Sequence, residues 1–384
     1  MDSFKRADGI ALPEGTRSAG VDVLRGLCVL FVLLHHIHIR FEFNDFDVKT
    51  LLPKSAARVA FWSGYLAVIT FFVISGFLIT GLSIRRWGSP GQIHLREFYR
   101  LRFARIAPCL LLLVAIASLL HTLRIQGFVI DPERSSLWRA ILASLTFHIN
   151  WLEGHHGYLP GDWDILWSLS VEEVFYLLFP IVCLCCRYER WLLIPLLGLI
   201  VYGPFNRMAL EGRDPWQDYA YLSCADGIAF GCIAALAATR SRWSRDLLRL
   251  MMTVGILAVS LIVGFRHTAV VTTLNHQGLG ISVLEIGVAL VLVAISQGVG
   301  RDWLTRRTSV IRAFGRSSYE IYLTHMLVIL GLMPLIKALS PHGAIIVGWY
   351  GVLLLLSLAL GWVVYSIYSE PMNKRLRFIP GDSG

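Results

Sequence analysis

The stretch Val21 to Arg40 reads VDVLRGLCVLFVLLHHIHIR, an apolar run with an arginine near its start and three histidines near its end. Arg25 and His36 are eleven residues apart, so on an α-helix they project from one face, about 16 Å apart along the axis. Polar side chains within an apolar span of this length are expensive and face a bundle interior, a partner or a water-filled cavity. Two readings follow. Either the face carries chemistry, or Arg25 snorkels to the headgroups and the histidines mark the opposite interface.

Such runs recur along the whole chain of 384 residues, of which 55% are hydrophobic and 16% charged, with a mean hydropathy of +0.61. They lie near 22–39, 60–83, 103–123, 137–152, 165–186, 190–205, 218–238, 246–265, 278–299, 316–337 and 343–367. The 137–152 run is the shortest and contains Arg139, His148 and Asn150, so it reads as a segment that does not cross. With it set aside, the basic loops alternate cleanly. One side, comprising the N-terminus, 84–105, 187–190, 239–249, 300–316 and the C-terminal tail, holds 24 of the 35 Lys and Arg residues when Arg25 is included. Lys and Arg mark the cytoplasmic side, which predicts an all-α, polytopic membrane helical bundle of about ten transmembrane helices with both termini cytoplasmic. The expected organisation is a cytoplasmic tail over 1–20, a membrane domain over 21–370 and a cytoplasmic tail over 371–384. The first span reads as an uncleaved anchor, because the residues before it lack a signal-peptide core.

This distribution also accounts for the net charge of +9. The excess is a topology signal, which argues against nucleic acid as a partner. The seven cysteines fall in or beside apolar runs without metal-ligand or disulfide spacing and read as small hydrophobes. The largest outer segment, about 124–165, carries Trp151, His155, His156, Tyr158, Asp162, Trp163 and Asp164. It suits either a cover or re-entrant piece that binds a polar acceptor, or an interfacial aromatic belt.

Several further segments place polar groups at membrane depth. FFVISGFLITGL brings Ser75 and Gly76, small residues suited above all to close helix packing. In REFYRLRFARIAP, Arg102 and Arg105 share a helical face with Arg100 nearby, which suits an anionic ligand as well as positive-inside decoration. DILWSLSVEEVFYLLFP carries Trp167, Ser168, Glu172, Glu173 and Tyr176. Glu172 and Tyr176 share a face, and at least one of the two adjacent carboxylates needs a basic partner or a proton. Asp226 in SCADGIAFG and Tyr319, Tyr322 and His325 in SSYEIYLTHM complete the set. For His325 a structural hydrogen bond is as good an account as catalysis.

In this order, the Arg25-x10-His36 run, FFVISGFLIT, FYRLRFARIAP, WSLSVEEVFYLLFP and SYEIYLTH resemble the acyltransferase family 3 membrane proteins. That family includes bacterial O-antigen and exopolysaccharide O-acetylases and macrolide O-acyltransferases. The resemblance covers nearly the whole chain. It implies an integral protein of the bacterial inner or plasma membrane that moves an acyl group, acetyl in the first instance, from cytosolic acetyl-CoA or another acyl-CoA to a hydroxyl of a carbohydrate or glycosylated acceptor. No bound cofactor or metal is implied.

Carried onto this sequence, the family's Arg-x10-His pair falls on Arg25 and His36, not on His35 or His38, and its basic pair on Arg102 and Arg105, expected to hold the donor. Its WSLxxEE segment falls on Trp167, Ser168, Leu169, Glu172 and Glu173, and its YLxH segment on Tyr322, Leu323 and His325. His36 is then the candidate general base, with Arg25 beside it in the catalytic set and Glu172 as orienter. Trp167, Ser168, Tyr176, Asp226, Tyr322 and His325 are expected around the acceptor. One departure stands out: many members carry Arg-x-Asp-Gly in a later span, whereas this chain reads Cys224-Ala225-Asp226-Gly227, leaving Arg207 as a substitute. No fused SGNH-type hydrolase domain is expected. A proton-coupled permease or flippase of a glycan or glycolipid is the alternative that buried Arg, His and Glu also suit. A polyprenyl-phosphate glycosyltransferase ranks last, because its acidic metal-binding loops are missing from these basic inner segments.

Overall fold

Among the described residues, ten helices are long and apolar enough to cross a bilayer. They are α1 (Ala19–His38), α2 (Gly64–Trp87), α3 (Leu95–Thr122), α4 (Leu166–Cys186), α5 (Glu189–Ala209), α6 (Tyr221–Arg240), α7 (Arg245–Gly264), α8 (Leu279–Ser296), α9 (Ser318–Leu339) and α10 (Ala344–Val363). The structure, a computed structural model, describes residues 18–41, 51–266 and 268–377. The expected N-terminal tail up to residue 17 and the C-terminal tail from 378 lie outside the described residues. Among the described residues there is no strand. The expected helical membrane bundle is what forms.

The 137–152 run is not a span. It folds as two short helices, Leu137–Leu145 and Ile149–His156, broken at Phe147, whose φ of 59° is left-handed. Each is far shorter than a bilayer is thick. The first packs against α3, and the second docks on the start of α4, where the backbone N–H of Ile149 donates to the Ser170 hydroxyl at 3.2 Å.

At the centre, α2 buries 78% of its apolar window, against 17% for α7 at the rim. Small residues set this arrangement. A Cβ on Gly76 would collide with the Ile228 carbonyl of α6, and one on Gly231 with the Val73 carbonyl of α2, so the two backbones cross in near contact. Around this crossing, Ile69, Phe72, Val73, Ile228 and Cys232 form part of one continuous core. All seven cysteines are free. At the other end of the chain, α10 passes into a π-helical stretch, Val364–Ser369, and then a last helix, Glu370–Arg377, packed against α3.

Candidate active site

A cavity of about 2630 Å³ enters the bundle from the end where the 84–105, 239–249 and 300–316 segments meet. Fourteen arginines line it against five carboxylates, so its field favours a polyanion. It reaches residues deep in the bundle, including Phe72, Ser168, Glu172, Tyr176 and Tyr322, and Arg25 is in its wall.

Two histidines lie immediately past Tyr322. The ring of Tyr322 is centred 5.8 Å from that of His325, and the His325 ring 5.0 Å from that of His36. His325 turns Nδ1 to the Tyr322 carbonyl at 2.6 Å, and His36 turns Nδ1 to the Val32 carbonyl at 3.0 Å. A carbonyl oxygen only accepts, so each Nδ1 carries the hydrogen. In the neutral rings both Nε2 atoms therefore hold lone pairs. That of His325 is 3.3 Å from His36 Nδ1, where it shares the proton donated to Val32. That of His36 is the free basic nitrogen of the pair.

The neighbouring histidines are employed elsewhere. His35 Nδ1 bonds the Phe61 carbonyl at 2.9 Å, while His38 bonds the Tyr350 hydroxyl at 2.9 Å and stacks on Phe61. Both tie the short helix Lys54–Trp62 to the end of α1.

Glu172 lies in the cavity wall. It accepts from Ser75 at 2.5 Å and from Tyr176, and the two hydroxyls also lie against each other. Glu172 has no bond to His36; the partner of the His36 ring is His325. Ser75 thus does more than pack, while its neighbour Gly76 makes the helix crossing. The adjacent carboxylate, Glu173, is buried, and its Oε1 has no hydrogen-bond partner.

The two basic residues of α3 diverge. Arg102 stacks over the Tyr176 ring at 4.7 Å, with its charge facing the cavity. Arg105 is paired with the fully buried Glu320 at 2.7 Å, and Ser369 from the π-helical stretch donates to the same carboxylate at 2.6 Å.

Ser168 and Tyr322 bond each other at 2.7 Å in the cavity wall. Trp167 stacks on Tyr219 at 4.2 Å with an interplanar angle of 8°. Asp226 is buried away from the cavity and pairs with Arg207 of α5 at 2.8 Å, so the arginine missing from its own helix comes from the neighbouring one. Arg207 is otherwise consumed by the Ser223 and Gly278 carbonyls and the Ser282 hydroxyl. Glu285, also fully buried, lies beside this pair and escaped the sequence reading, because one acidic residue in an apolar run carries no motif.

In the segment between α3 and α4, Glu153 accepts from the Leu159 N–H at 3.0 Å. Burial, reinforced by the Asp164 carboxylate, holds its carboxyl well above the usual range. Tyr158 donates to Asp214 at 2.6 Å, and burial with that carboxylate pushes its phenol up.

Fold and site together describe a multi-pass membrane protein with an arginine-lined cavity, beyond whose deep wall at Tyr322 lie His325 and His36. The family model for the acyltransferase domain matches residues 18–366, and the chain belongs to that family. Among its relatives are the peptidoglycan O-acetyltransferase OatA of Listeria monocytogenes, 26% identical over 348 residues, and the O-acetyltransferase OatA of Staphylococcus aureus (strain NCTC 8325), 24% identical over 406. The alignments take in 84% and 99% of this chain, but only 51% and 62% of those relatives' own lengths. No solved structure matches the chain significantly.

Proposed function

We propose that this protein transfers an acyl group, acetyl in the first instance, from an acyl-CoA to a hydroxyl of a carbohydrate or glycosylated acceptor, with His36 as general base. One observation carries the reading: the free Nε2 of His36 lies past the deep end of an arginine-walled cavity. A nucleotide polyphosphate suits those walls, and a pantetheine-like arm suits the deeper part lined by Phe72 and Tyr322. The segments at the cavity mouth are also those that positive-inside bias assigns to the cytoplasm, where acyl-CoA is found. The same bias supports both termini being cytoplasmic and a membrane domain over 21–370. The printed names of the relatives, O-acetyltransferase and peptidoglycan O-acetyltransferase, favour a glycan as acceptor.

In this reaction the acceptor oxygen attacks the thioester carbonyl while His36 Nε2 takes the hydroxyl proton. Collapse of the tetrahedral intermediate breaks the C–S bond, and the departing thiolate recovers the proton from the imidazolium. His325 holds the His36 tautomer, and the Ser75–Glu172–Tyr176 network fixes the wall along which the donor arm lies.

The test is thiol release from acetyl-CoA by purified protein with a mixed glycan acceptor extract, comparing wild type, His36→Ala and Arg102→Ala. Release that disappears in a folded His36→Ala and weakens in donor affinity in Arg102→Ala is expected. Unchanged release in His36→Ala would remove His36 from the chemistry.

A further inference from the structure

The proposed reaction places negative charge on the thioester carbonyl oxygen, which needs a donor held ready for it. Neither imidazole of the pair supplies one in the ground state: both Nδ1 hydrogens are directed at backbone carbonyls and the Nε2 atoms carry lone pairs. One cation nearby is unused. Arg40 follows His36 by four residues and lies two residues past the end of α1, and its guanidinium makes no hydrogen bond or ion pair among the described residues. Its Nε is buried without a partner. Its Nη2 lies over the turn that opens α4, where a Cβ added to Gly161 would be 3.0 Å away and would also strike Met326, the residue after His325. The Arg40 charge is close enough to be felt at both His36 and Asp164, yet forms an ion pair with neither.

A part-buried guanidinium with no partner among the described residues is a costly arrangement that a bound anionic group would relieve. Resting on the reading of His36 as base in thioester acyl transfer, we infer that Arg40 is a further catalytic residue, whose N–H groups receive the oxyanion as the acyl carbonyl becomes tetrahedral. As the acceptor O–C bond forms, the carbonyl π pair moves onto oxygen facing Arg40, and the acceptor proton moves to His36 Nε2. When the pair returns, the C–S bond breaks and the thiolate takes that proton.

Binding of two stable CoA derivatives to the full-length protein in nanodiscs tests this without turnover. CoA S-sulfonate carries a tetrahedral anionic group where the oxyanion would form, and S-ethyl-CoA carries a neutral group there. Wild type should bind the sulfonate more tightly by about tenfold or more, as a charge-assisted hydrogen bond warrants. Arg40→Gln should bind both alike, and Arg40→Lys should recover part of the preference, which a merely structural arginine would not explain. Equal binding by wild type, or a preference that survives in Arg40→Gln, would overturn the role of Arg40 while leaving donor binding intact. Failure of wild type to bind either compound would remove the donor reading and this inference with it.

Discussion

His325 Nε2 meets His36 Nδ1 at 3.3 Å across 289 residues of sequence. When His36 takes a proton at Nε2, its Nδ1–H becomes a stronger donor, and the lone pair of His325 is placed to accept it. His325→Ala should lower turnover by about ten- to a hundredfold, a fraction of what a general base supplies, and leave donor affinity unchanged. His325→Gln, which offers a carbonyl oxygen, should recover part of the loss. Steady-state thiol release with parallel donor titrations checks both.

Arg102 and Arg105 should separate cleanly. Arg102 stacks on an aromatic ring with its charge toward the cavity, whereas Arg105 neutralises the fully buried Glu320. Arg102→Ala should raise the donor KM and leave the unfolding midpoint nearly unchanged. Arg105→Ala should lower that midpoint, since removing one partner of a buried pair costs about 3–5 kcal/mol. Equal effects of the two variants on both measurements would refute the division.

Arg207 has four partners on α6, α8 and the turn before α8. Arg207→Ala strands Asp226 and should destabilise the bundle by about 3–5 kcal/mol, whereas Arg207→Met with Asp226→Leu should recover much of that. Thermal unfolding in detergent, followed by tryptophan fluorescence, reads the difference. A double variant no more stable than the single would show that the pair does more than neutralise itself.

Glu153 predicts a pH dependence. Its carboxyl is pushed up in the folded protein, while an unfolded glutamate titrates near about 4.3. The folded state therefore binds the extra proton. The stability this confers is complete below the unfolded value and is lost as pH rises toward the folded one. Glu153→Gln should abolish that loss, so its melting temperature should gain on wild type as pH rises from about 4 upward. Parallel profiles would mean that Glu153 does not titrate with folding.

The ten spans were legible because runs of about twenty apolar residues and alternating basic loops are local signals. His36 was singled out by the family's Arg-x10-His spacing from Arg25, and Arg102, Glu172, Tyr322 and His325 by ordered motifs, and the structure sets all but the two histidines in the cavity wall, with His325 and His36 just beyond it. The cavity was not. Its arginines come from segments more than fifty residues apart, and each segment taken alone is satisfied by the topology signal it also provides. Arg40 was hidden for a similar reason: after three histidines it reads as the cap of an interface, and only three dimensions reveal that it lacks a partner among the described residues. Glu320 stands inside SYEIYLTH but was given no role, and Ser369 entered no motif, because the contact that unites them depends on a helical irregularity.

That irregularity, the π-helical stretch Val364–Ser369, acts as a register key. A π turn amounts to one residue inserted into an α-helix, so every side chain after it is rotated by about 100° from where an unbroken helix would carry it. Asn373 and Arg377, which line the cavity wall, both come after that rotation. Deleting a single residue there would leave the hydrophobic length of the last span almost intact, while turning its final two turns away from α3.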